Sequence, residues 1–389
     1  MGVDAYDVAV VGAGPGGSAA AILLARAGLH VALIDRQAFP RTKPCGDLIG
    51  CGGISLIHRL GVDSTTLAPY QTLRGAVIVA PDTRPLVLRA GKRSRDDARV
   101  IPRHIFDTVL VRTAERAGAT FVHLHVRDLL HEHGRIIGVR GGDARTTTTI
   151  TARAVIGADG YGSRIARAVR GDETTRAGQV GVALRAYATG FSLPRAWEGC
   201  LVFAYDARTA PGYGWLMPLP EGGANIGIGT LAPTTGTPDT AHLHDLFDRF
   251  VSGTPWLAGA IIADDLPPRA WPLALAPRRG PLVGDGVLLV GEAAALVGPM
   301  TGAGIYPAMQ SGVWAAETLI AALRTGDLSR RALLPYEQRV HRRFLPQHHA
   351  EAWAQRLLTN PTCLRQITNA IRPFPFTAPL GASLLLHLG

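Results

Sequence analysis

The apolar and polar positions at the start of the chain predict a strand, a glycine-rich turn, a helix and a second strand. The apolar run at 6–11 is followed by the turn GAGPGG and by an alanine-rich segment at 18–27 that predicts a helix. The strand-like segment HVALID comes next and ends at Asp35. This order is typical of the βαβ unit that binds dinucleotides.

Later segments predict a second region inserted into the first. LRGAVIVA at 73–80 alternates like a strand, and the segment at 100–118 predicts an amphipathic helix followed by the short strands HVRDLLH, RIIGVRG and TTTTITA. Alternation returns between 179 and 271, around one helix near 239–251, and predicts an antiparallel sheet. GVLLVG then predicts a strand, 304–323 predicts a helix, and the remainder is expected to be helical.

These patterns predict an α/β protein with a Rossmann-type nucleotide-binding domain, an inserted antiparallel-sheet domain and a C-terminal helical segment. The 389 residues, 47% of them hydrophobic, are enough for two buried cores. The predicted boundaries are 1–70, 98–178 and 276–325 for the discontinuous nucleotide-binding domain, 71–97 and 179–275 for the substrate-binding domain, and 326–389 for the helical region.

Charge and composition narrow the function classes. The net charge of +10 suits nucleic acid, an anionic membrane or a phosphorylated substrate, but the arginines are scattered and no nucleic-acid-reading motif occurs. We therefore expect no nucleic-acid partner. Four cysteines lack disulfide or metal spacing, and the paired histidines lack a third ligand, which predicts cytoplasmic thiols and no metal. The uncharged run at 293–316 contains two prolines and several glycines, so we expect a buried ligand-contacting segment, not a membrane span.

The glycine turn carries the first chemical signal. Gly12, Gly14 and Gly17 fit G-x-G-x-x-G between a strand and a helix, where bare backbone lets a pyrophosphate approach the helix N-terminus. Asp35 ends the second strand, where its carboxylate can accept hydrogen bonds from an adenosine ribose. A tight glycine turn alone could produce the same spacing, but together with Asp35 it predicts a dinucleotide site.

Four further phrases resemble motifs of a known family. GADGYGSRIAR at 157–167 and VLLVGEAAALVGPMTGAGIYPAMQSG at 287–312 resemble the Asp-Gly and ribityl-binding motifs of FAD enzymes built like para-hydroxybenzoate hydroxylase. FPRTKPCGD and PGYGWLMPLP…NIGIG resemble the Pro-Cys-Gly and Tyr-x-Trp-x-Phe-Pro…Gly-x-Gly motifs of the geranylgeranyl reductase family, which includes polyprenyl-quinone reductases. The resemblance covers most of residues 5–325 and implies that the nucleotide is FAD.

The resemblance also implies which residues contact FAD. Asp159 would reach the polyol or pyrophosphate and Arg103 would brace the cofactor, with a helix cap and a surface cation as the respective alternatives. Glu292 stands where the family usually has aspartate. Gly302 and Gly304 open a helix whose positive end is expected to face the isoalloxazine. Besides the glycine turn and Asp35, the implied contacts are Arg36, Arg41, Cys45, Gly46, Arg103, Asp159, Gly160, Gly291, Glu292, Pro299, Gly302, Gly304 and Ile305.

Three residues are candidates for a catalytic role. Cys45 could tune the flavin or donate a proton, and a small buried filler is the alternative. Tyr213 and Trp215 alternate on one predicted strand with Met217, so their side chains should share a face that lines an apolar pocket, with ordinary sheet core as the alternative. Met217 and Leu219 replace a phenylalanine and a basic residue of the family, which leaves the charged end of the substrate open.

The resemblance implies an FAD-dependent reductase that saturates a carbon–carbon double bond of an isoprenoid or similarly apolar substrate by hydride transfer. A monooxygenase, either a hydroxylase or an epoxidase, or a halogenase-like enzyme acting on a natural product is the alternative within the same fold. The halogenase motif Trp-x-Trp-x-Ile-Pro is missing from GYGWLMPLP. A flavin-binding or electron-transfer protein without a substrate is an alternative of another class.

The electron donor and the location are less specified by the sequence. There is no second Rossmann signature, and ferredoxin leaves no motif in its partner, so NAD(P)H, ferredoxin and a separate flavin reductase all stay open as donors. We expect a cytoplasmic protein. The basic, amphipathic segment RRFLPQHHAEAWAQRLL at 342–358 keeps peripheral attachment to a membrane as an alternative.

Overall fold

The computed structural model describes residues 5–91, 97–142, 146–171, 180–206, 209–210, 212–232, 240–276, 280–358 and 361–371. The strands are β1 (Ala5–Val11), β2 (Val31–Asp35), β3 (Leu48–Ile49), β4 (Gly75–Val79), β5 (Leu86–Arg89), β6 (Arg99–Val100), β7 (Thr120–His123), β8 (Val126–Glu132), β9 (Arg135–Gly142), β10 (Thr147–Gly157), β11 (Val180–Thr189), β12 (Cys200–Ala204), β13 (Tyr213–Pro218), β14 (Ala224–Leu231), β15 (Ile261–Ile262), β16 (Arg269–Ala274), β17 (Val283–Gly284) and β18 (Val287–Leu289). The helices are α1 (Pro15–Arg26), α2 (Cys51–Arg59), α3 (Arg103–Arg116), α4 (Arg164–Arg170), α5 (Thr240–Ser252), α6 (Ile305–Thr325), α7 (Arg330–Leu358) and α8 (Pro361–Ile371).

The first sheet has the strand order β17-β18-β10-β1-β2-β7, and β10, β1, β2 and β7 run parallel. Its central strands β1 and β2 are buried along most of their length, helix α1 packs on both of them, and helices α3 and α6 pack against α1. Helix α1 begins at Pro15, three residues before the predicted start, because proline at the first helical position needs no partner for an N–H. Strands β8 and β9 extend from β10 as the predicted small meander.

The second sheet has the order β15-β11-β14-β13-β12-β4-β5, and β16 pairs with the same edge of β11 as β15. It is antiparallel except that β4 and β12 run parallel. This pair departs from the expected antiparallel sheet because β4 comes from the upstream segment that precedes α3. Helix α5 packs on β11 and β14, so a separate apolar core lies on that face of the sheet.

In the C-terminal region the described residues form helices α7 and α8, and residues 372–389 lie outside the described part of the chain. Helix α7 packs against α6 and β17, and the hydroxyl of Tyr336 donates to the Leu289 carbonyl at 2.5 Å. The predicted α/β class, with a Rossmann-type domain, an additional sheet domain and C-terminal helices, is confirmed. Within the described ranges, no helix combines the length and apolar composition needed to cross a bilayer.

Candidate active site

A cavity of about 770 Å³ lies between the two sheets. A volume of this size is typical of sites that enclose a cofactor or substrate. Its wall takes residues from the glycine turn, from the segment 41–48, from one face of the second sheet and from 290–308. Every predicted site residue lines the cavity except Gly17.

The glycines of the turn have different physical roles. Gly12 has φ +106°, and a Cβ there would overlap the carbonyl of Ala158, so the turn needs glycine to pass beside β10. Gly17 lies behind the turn, where a Cβ would overlap the Gly12 carbonyl. It therefore allows the close helix–strand contact and does not reach the cavity. A Cβ on Gly14 would meet only Nη2 of Arg41, at 3.7 Å, so the turn is open toward the cavity there.

The predicted ribose carboxylate is already held by the turn. Oδ2 of Asp35 accepts the N–H of Ala13 at 2.9 Å, and Oδ1 accepts the N–H of Gln37 at 3.0 Å. Nε of Arg41 lies 3.9 Å from Oδ2. These contacts orient the carboxylate at the cavity wall, and its remaining lone pairs are available to a ligand.

Arg103 is buried, so the surface-cation alternative is wrong. Its guanidinium makes two hydrogen bonds of 2.7 Å to the fully buried carboxylate of Asp107, one turn further along α3. Nη2 of Arg41 lies 3.2 Å from the same carboxylate. Burial alone would lower the pKa of Arg103, but the Asp107 carboxylate raises it above its usual value. Two cations at the cavity wall therefore share one buried anion.

Asp159 holds the start of helix α4, as its helix-cap alternative predicted. Its carboxylate accepts the hydroxyl of Ser163 at 2.5 Å and the N–H of Arg164 at 2.9 Å, while Ser163 is itself the N-cap. Burial raises the pKa of Asp159, and these hydrogen bonds oppose the rise. Because the same residue lines the cavity, the cap and a ligand contact are compatible.

Glu292 uses its longer side chain to form an ion pair. Its Oε2 lies 2.9 Å from Nζ of Lys43, in the segment just before Cys45. The Lys43 ammonium lies 5.7 Å from the ring centroid of Trp271. A Cβ on Gly160 would come within 3.5 Å of Oε2 of Glu292, so the Asp-Gly motif meets this pair.

The cavity-facing side of the second sheet has an aromatic half, formed by Tyr213, Trp215 and Met217, and a cationic half, formed by Arg185 and Arg269. Tyr213, Trp215 and Met217 share one face, as the alternation predicts, and Trp215 lies in register with Gly227, Arg185 and Arg269 on successive strands. The Trp215 ring occupies the space that a side chain at Gly227 would need. The Gly-x-Gly motif therefore makes room for the tryptophan.

Hydrogen bonds anchor Tyr213 and Trp215 to two different elements of the fold. The hydroxyl of Tyr213 donates to the Thr301 carbonyl at 2.6 Å, in the loop before α6. Nε1 of Trp215 donates to Oδ1 of Asn225 at 3.0 Å. Thr301 in turn donates to buried Glu351 at 3.2 Å, so helix α7 supports this wall. The C-terminal region, to which the sequence assigned no part in the site, also contributes Gln355 to the cavity.

A buried polar cluster beside Cys45 was not predicted from the sequence. Asp47 is fully buried, and its Oδ2 accepts the hydroxyl of Tyr187 at 2.6 Å and Nδ2 of Asn225 at 2.8 Å. Burial raises the pKa of Asp47 to about 6, although Tyr187, Arg185 and Asn225 oppose this rise. The only available signal was that Asp47 follows Cys45 in KPCGD. Tyr187 lies on a strand without a motif of its own, and Asn225 begins the phrase NIGIG, whose motif consists of the two glycines that follow it.

Cys45 is half-buried, and its exposed part opens into the cavity. Burial raises the pKa of the Cys45 thiol, although the Arg103 guanidinium opposes this effect. None of the four cysteines, all of which lie in the described part of the chain, forms a disulfide. The described residues contain no group of three or more His, Cys, Asp or Glu side chains that could hold a metal ion.

The cavity wall has unused hydrogen-bond donors that fit FAD. Among the described residues, buried nitrogens without a partner include Nε of Arg41, Nε of Arg185 and Nε1 of Trp271, and all three residues line the cavity. The N-termini of α1 and α6 also meet the cavity and have no side-chain cap. A ligand with a diphosphate and several further acceptors would satisfy these groups.

Comparison with known proteins agrees with this geometry. A family model described as an FAD binding domain matches residues 5–250, and this match confirms the expected FAD. The chain is 33% identical to digeranylgeranylglycerophospholipid reductase of Methanothrix thermoacetophila, covering 86% of this chain and 82% of that protein. It is 33% identical to menaquinone reductase of Mycobacterium tuberculosis, covering 81% and 77% of the two chains. The crystal structure of a geranylgeranyl bacteriochlorophyll reductase-like protein from Thermoplasma acidophilum has a TM-score of 0.84 at 27% identity and covers 95% and 91%.

Proposed function

The chain belongs to the geranylgeranyl reductase family of FAD-dependent oxidoreductases, and from this premise we propose that it saturates a carbon–carbon double bond in a prenyl chain carried by a lipid or a quinone. One observation carries the proposal. The aromatic half of the second sheet closes the cavity directly above Gly46, where a Cβ would lie 3.8 Å from Nε1 of Trp215 and 3.6 Å from Cε of Met217. This apolar wall meets the segment that holds the candidate thiol.

Residues on the other side of the cavity would hold FAD. The turn at Gly14 and the N-terminus of α1 suit the diphosphate, Asp35 suits the adenosine ribose, and Arg41 supplies an unused donor. The N-terminus of α6 at Gly304 suits negative charge on the pyrimidine side of the ring. When bound and reduced, FAD supplies a hydride.

The remaining chemistry belongs to residues of this chain. Tyr213, Trp215 and Met217 exclude water and hold the double bond by shape, and their polarisable surfaces tolerate developing positive charge on carbon. The Cys45 thiol opens into the same cavity and gives a proton to the second carbon. A high thiol pKa keeps this proton in place until it is needed.

The test is an anaerobic one. Reduced protein is mixed separately with a geranylgeranyl lipid and a polyprenyl quinone, and flavin reoxidation is followed alongside product mass. We expect reoxidation with a gain of two mass units. Flavin that reoxidises only in air, with an oxygenated product, would instead assign the protein as a monooxygenase.

Alanine variants test the aromatic wall. Tyr213→Ala and Trp215→Ala should lower turnover while FAD stays bound, because the residues lie on the second sheet and not in the nucleotide turn. Trp256→Ala is the matched control, since Trp256 packs against Trp197 and Phe250 on the other side of that sheet. Turnover that is unchanged in the wall variants, or lowered equally in the control, contradicts the proposed role.

We infer that the electrons come from NAD(P)H, directly or through a flavin reductase, or from ferredoxin. The chain has only one G-x-G-x-x-G signature between a strand and a helix, so a nicotinamide cofactor would need a groove without this motif. Anaerobic reduction of the bound flavin by each donor separately identifies the source. The donor that reduces the flavin within the turnover time is assigned, and a donor slower than turnover is rejected.

We propose that the protein works in the cytoplasm and contacts the surface of a membrane. The net charge of +10 suits anionic lipid, and Trp353 on α7 and Ile367 on α8 are exposed apolar side chains. The protein should sediment with phosphatidylglycerol vesicles, less with phosphatidylcholine vesicles, and less after Trp353→Ser. Equal sedimentation of the variant and the wild type rejects this surface.

A further inference from the structure

We propose that Arg185 and Arg269, the cationic half of the second sheet, bind a phosphate ester at the head of the prenyl substrate; this inference rests on the prenyl reduction proposed above. Both residues line the cavity, and they stand directly opposite each other on β11 and β16. Opposite residues of an antiparallel pair project from the same face, with Cβ atoms about 5 Å apart. The two guanidinium groups therefore lie close enough to bind one phosphate together.

Arg185 is a buried cation with an unused donor. It is only 3% exposed, and its Nε has no hydrogen-bond partner among the described residues. A buried donor without a partner lowers stability, and the loss is larger when the donor belongs to a charged group. An acceptor bound in the cavity would remove this cost. The burial of Arg185 therefore indicates a site that a ligand completes.

Tyr187 holds the Arg185 guanidinium in place. Cζ of Arg185 lies 4.3 Å from the centroid of the Tyr187 ring, two residues along the same strand. The Tyr187 hydroxyl donates to Oδ2 of Asp47 at 2.6 Å, which fixes the ring. The Asp47 charge acts on Arg185, but Oδ2 of Asp47 bonds to Tyr187 and Asn225 and leaves Nε of Arg185 without a partner. The ring contact requires no oxygen acceptor, so this N–H remains available to a phosphate.

Strand β16 adds a second cation and a second unused donor. Arg269 is exposed whereas Arg185 is buried, so the pair extends from the cavity interior to solvent. Trp271 follows on the same face of β16, and its buried Nε1 has no partner among the described residues. Like charges directly opposite each other in a sheet repel, and an anion between them removes the repulsion. A phosphate ester supplies about two negative charges and three acceptor oxygens, whereas a quinone head supplies no charge.

The cationic half adjoins the aromatic half of the same face. Arg185, Gly227 and Trp215 are in register on β11, β14 and β13, so Trp215 lies two strand spacings from Arg185, about 10 Å. Gly227 places no side chain between them, and the Trp215 ring fills that space. A head group bound by the arginines therefore leads the prenyl chain directly onto the aromatic wall.

The residues that suit FAD lie elsewhere in the cavity wall. Gly14 belongs to the glycine turn, Asp35 ends β2, and Arg41 lies in the segment 41–48. Arg185 and Arg269 belong instead to the sheet that carries the aromatic wall. A substrate that lies on that wall therefore meets these two cations with its head group.

The first test compares substrates that differ only in the phosphate. FAD-bound protein reduces geranylgeranyl phosphate or geranylgeraniol in one neutral detergent, anaerobically and with dithionite as the electron donor. The wild-type KM for the phosphate should be lower by at least about tenfold, as expected for hydrogen bonds to a charged group. Arg185→Gln and Arg269→Gln should each remove most of this difference. Their kcat should stay within about threefold, because the head group is bound equally before and during the reaction.

The variants differ in how much of the fold they disturb. Arg185 is buried, whereas Arg269 is exposed on β16, so Arg269→Gln carries the test if Arg185→Gln does not fold. Arg249→Gln is the matched control, since it removes the same charge from α5, where Arg249 pairs with Asp245 outside the cavity. Its KM for the phosphate should stay within about twofold of the wild type. An equal rise of KM in the control and in Arg269→Gln overturns the subsite.

Two further substrates distinguish the source of the phosphate. Geranylgeranyl diphosphate represents a free prenyl diphosphate, and a geranylgeranyl ether of glycerophosphate represents a lipid head group. The substrate with the lower KM identifies the source, and its KM should rise by about tenfold in Arg269→Gln. If neither KM responds to Arg269→Gln, the subsite is overturned.

Equilibrium binding tests the subsite without turnover. Oxidised FAD-bound protein should bind geranylgeranyl phosphate at least about tenfold more tightly than geranylgeraniol, and Arg269→Gln should lose this preference while its FAD content stays stoichiometric. Equal affinity of the wild type for the two ligands, or loss of FAD from both arginine variants, overturns the subsite. A wild type that prefers the phosphate but forms no reduced product overturns the proposed function and not the subsite. A wild type that reduces both substrates with the same KM overturns the subsite alone.

Discussion

Substitution of one glycine in the Gly-x-Gly motif should move the tryptophan at the centre of the cavity wall. A Cβ at Gly227 would overlap the Trp215 ring, with Cε2 only 2.7 Å away, and would also overlap the carbonyl oxygen of Leu184. That carbonyl belongs to the β11–β14 pairing and cannot move without breaking it. The ring cannot rotate away without losing its bond to Asn225. Gly227→Ala therefore has no free space.

The expected cost follows from these two contacts. Overpacking a well-packed core costs about 1–3 kcal/mol, and loss of the buried indole hydrogen bond adds about 1 kcal/mol. The total of about 3 kcal/mol should lower Tm by about 4 °C, because unfolding entropy near 2.1 cal/mol/K per residue amounts to about 0.8 kcal/mol/K over 389 residues. Turnover should fall as well, since the displaced ring no longer closes the cavity.

Gly229 offers a matched control two residues along the same strand. A Cβ there would lie 3.6 Å from Cζ3 of Trp215 and 3.8 Å from Cβ of Ala183, which are ordinary contacts. Gly229→Ala should leave Tm within about 1 °C, or raise it slightly by reducing the freedom of the unfolded chain. Thermal unfolding and prenyl-substrate turnover of both variants are the measurements. Equal effects at the two positions, or a larger loss at Gly229, would refute the explanation of the motif.

Three further predictions concern charge and access. Asp107→Asn leaves the guanidinium groups of Arg41 and Arg103 without their shared carboxylate and should cost about 3–5 kcal/mol in the free energy of unfolding, measured with denaturant. Burial lowers the pKa of His348 to about 4, so the unfolded chain binds the extra proton between pH 6.5 and 4. As the pH is lowered from 6.5 to 4, the free energy of unfolding should therefore decrease by up to about 1.4 kcal/mol per pH unit. The difference between the wild type and His348→Asn isolates this loss. Bound FAD should slow alkylation of Cys45, and equal labelling with and without FAD in peptide maps would contradict its place in the cavity.

Features that depend on neighbouring residues could be predicted from the sequence. The period of two along β13 placed Tyr213, Trp215 and Met217 on one face because alternate residues of a strand point the same way. The glycine turn and its flanking strand and helix could also be predicted, because their pattern depends on residues only a few positions apart. The roles of individual glycines did not follow, since Gly14 and Gly17 have equal standing in the motif but only Gly14 reaches the cavity.

Contacts between distant segments could not be predicted. Asp47 meets Tyr187 140 residues later and Asn225 178 residues later, and Lys43 meets Glu292 249 residues later. The sequence could not explain why glutamate stands at position 292 in place of the family's usual aspartate, because its ion-pair partner Lys43 is distant in the chain. Likewise, the parallel pairing of β4 with β12 depends on where a distant segment enters the sheet.

The segment that contains Asp47 joins the two sides of the cavity through a single residue. Its carbonyl and Oδ1 bond to the segment that begins α3, and its Oδ2 bonds to Tyr187 and Asn225 on the second sheet. A glycine would adopt the left-handed backbone at no steric cost, whereas aspartate there costs about 1–3 kcal/mol. A glycine would also lose the three hydrogen bonds that the carboxylate accepts. The presence of aspartate at this backbone conformation therefore indicates that the carboxyl group itself is needed to join the start of α3 to the second sheet.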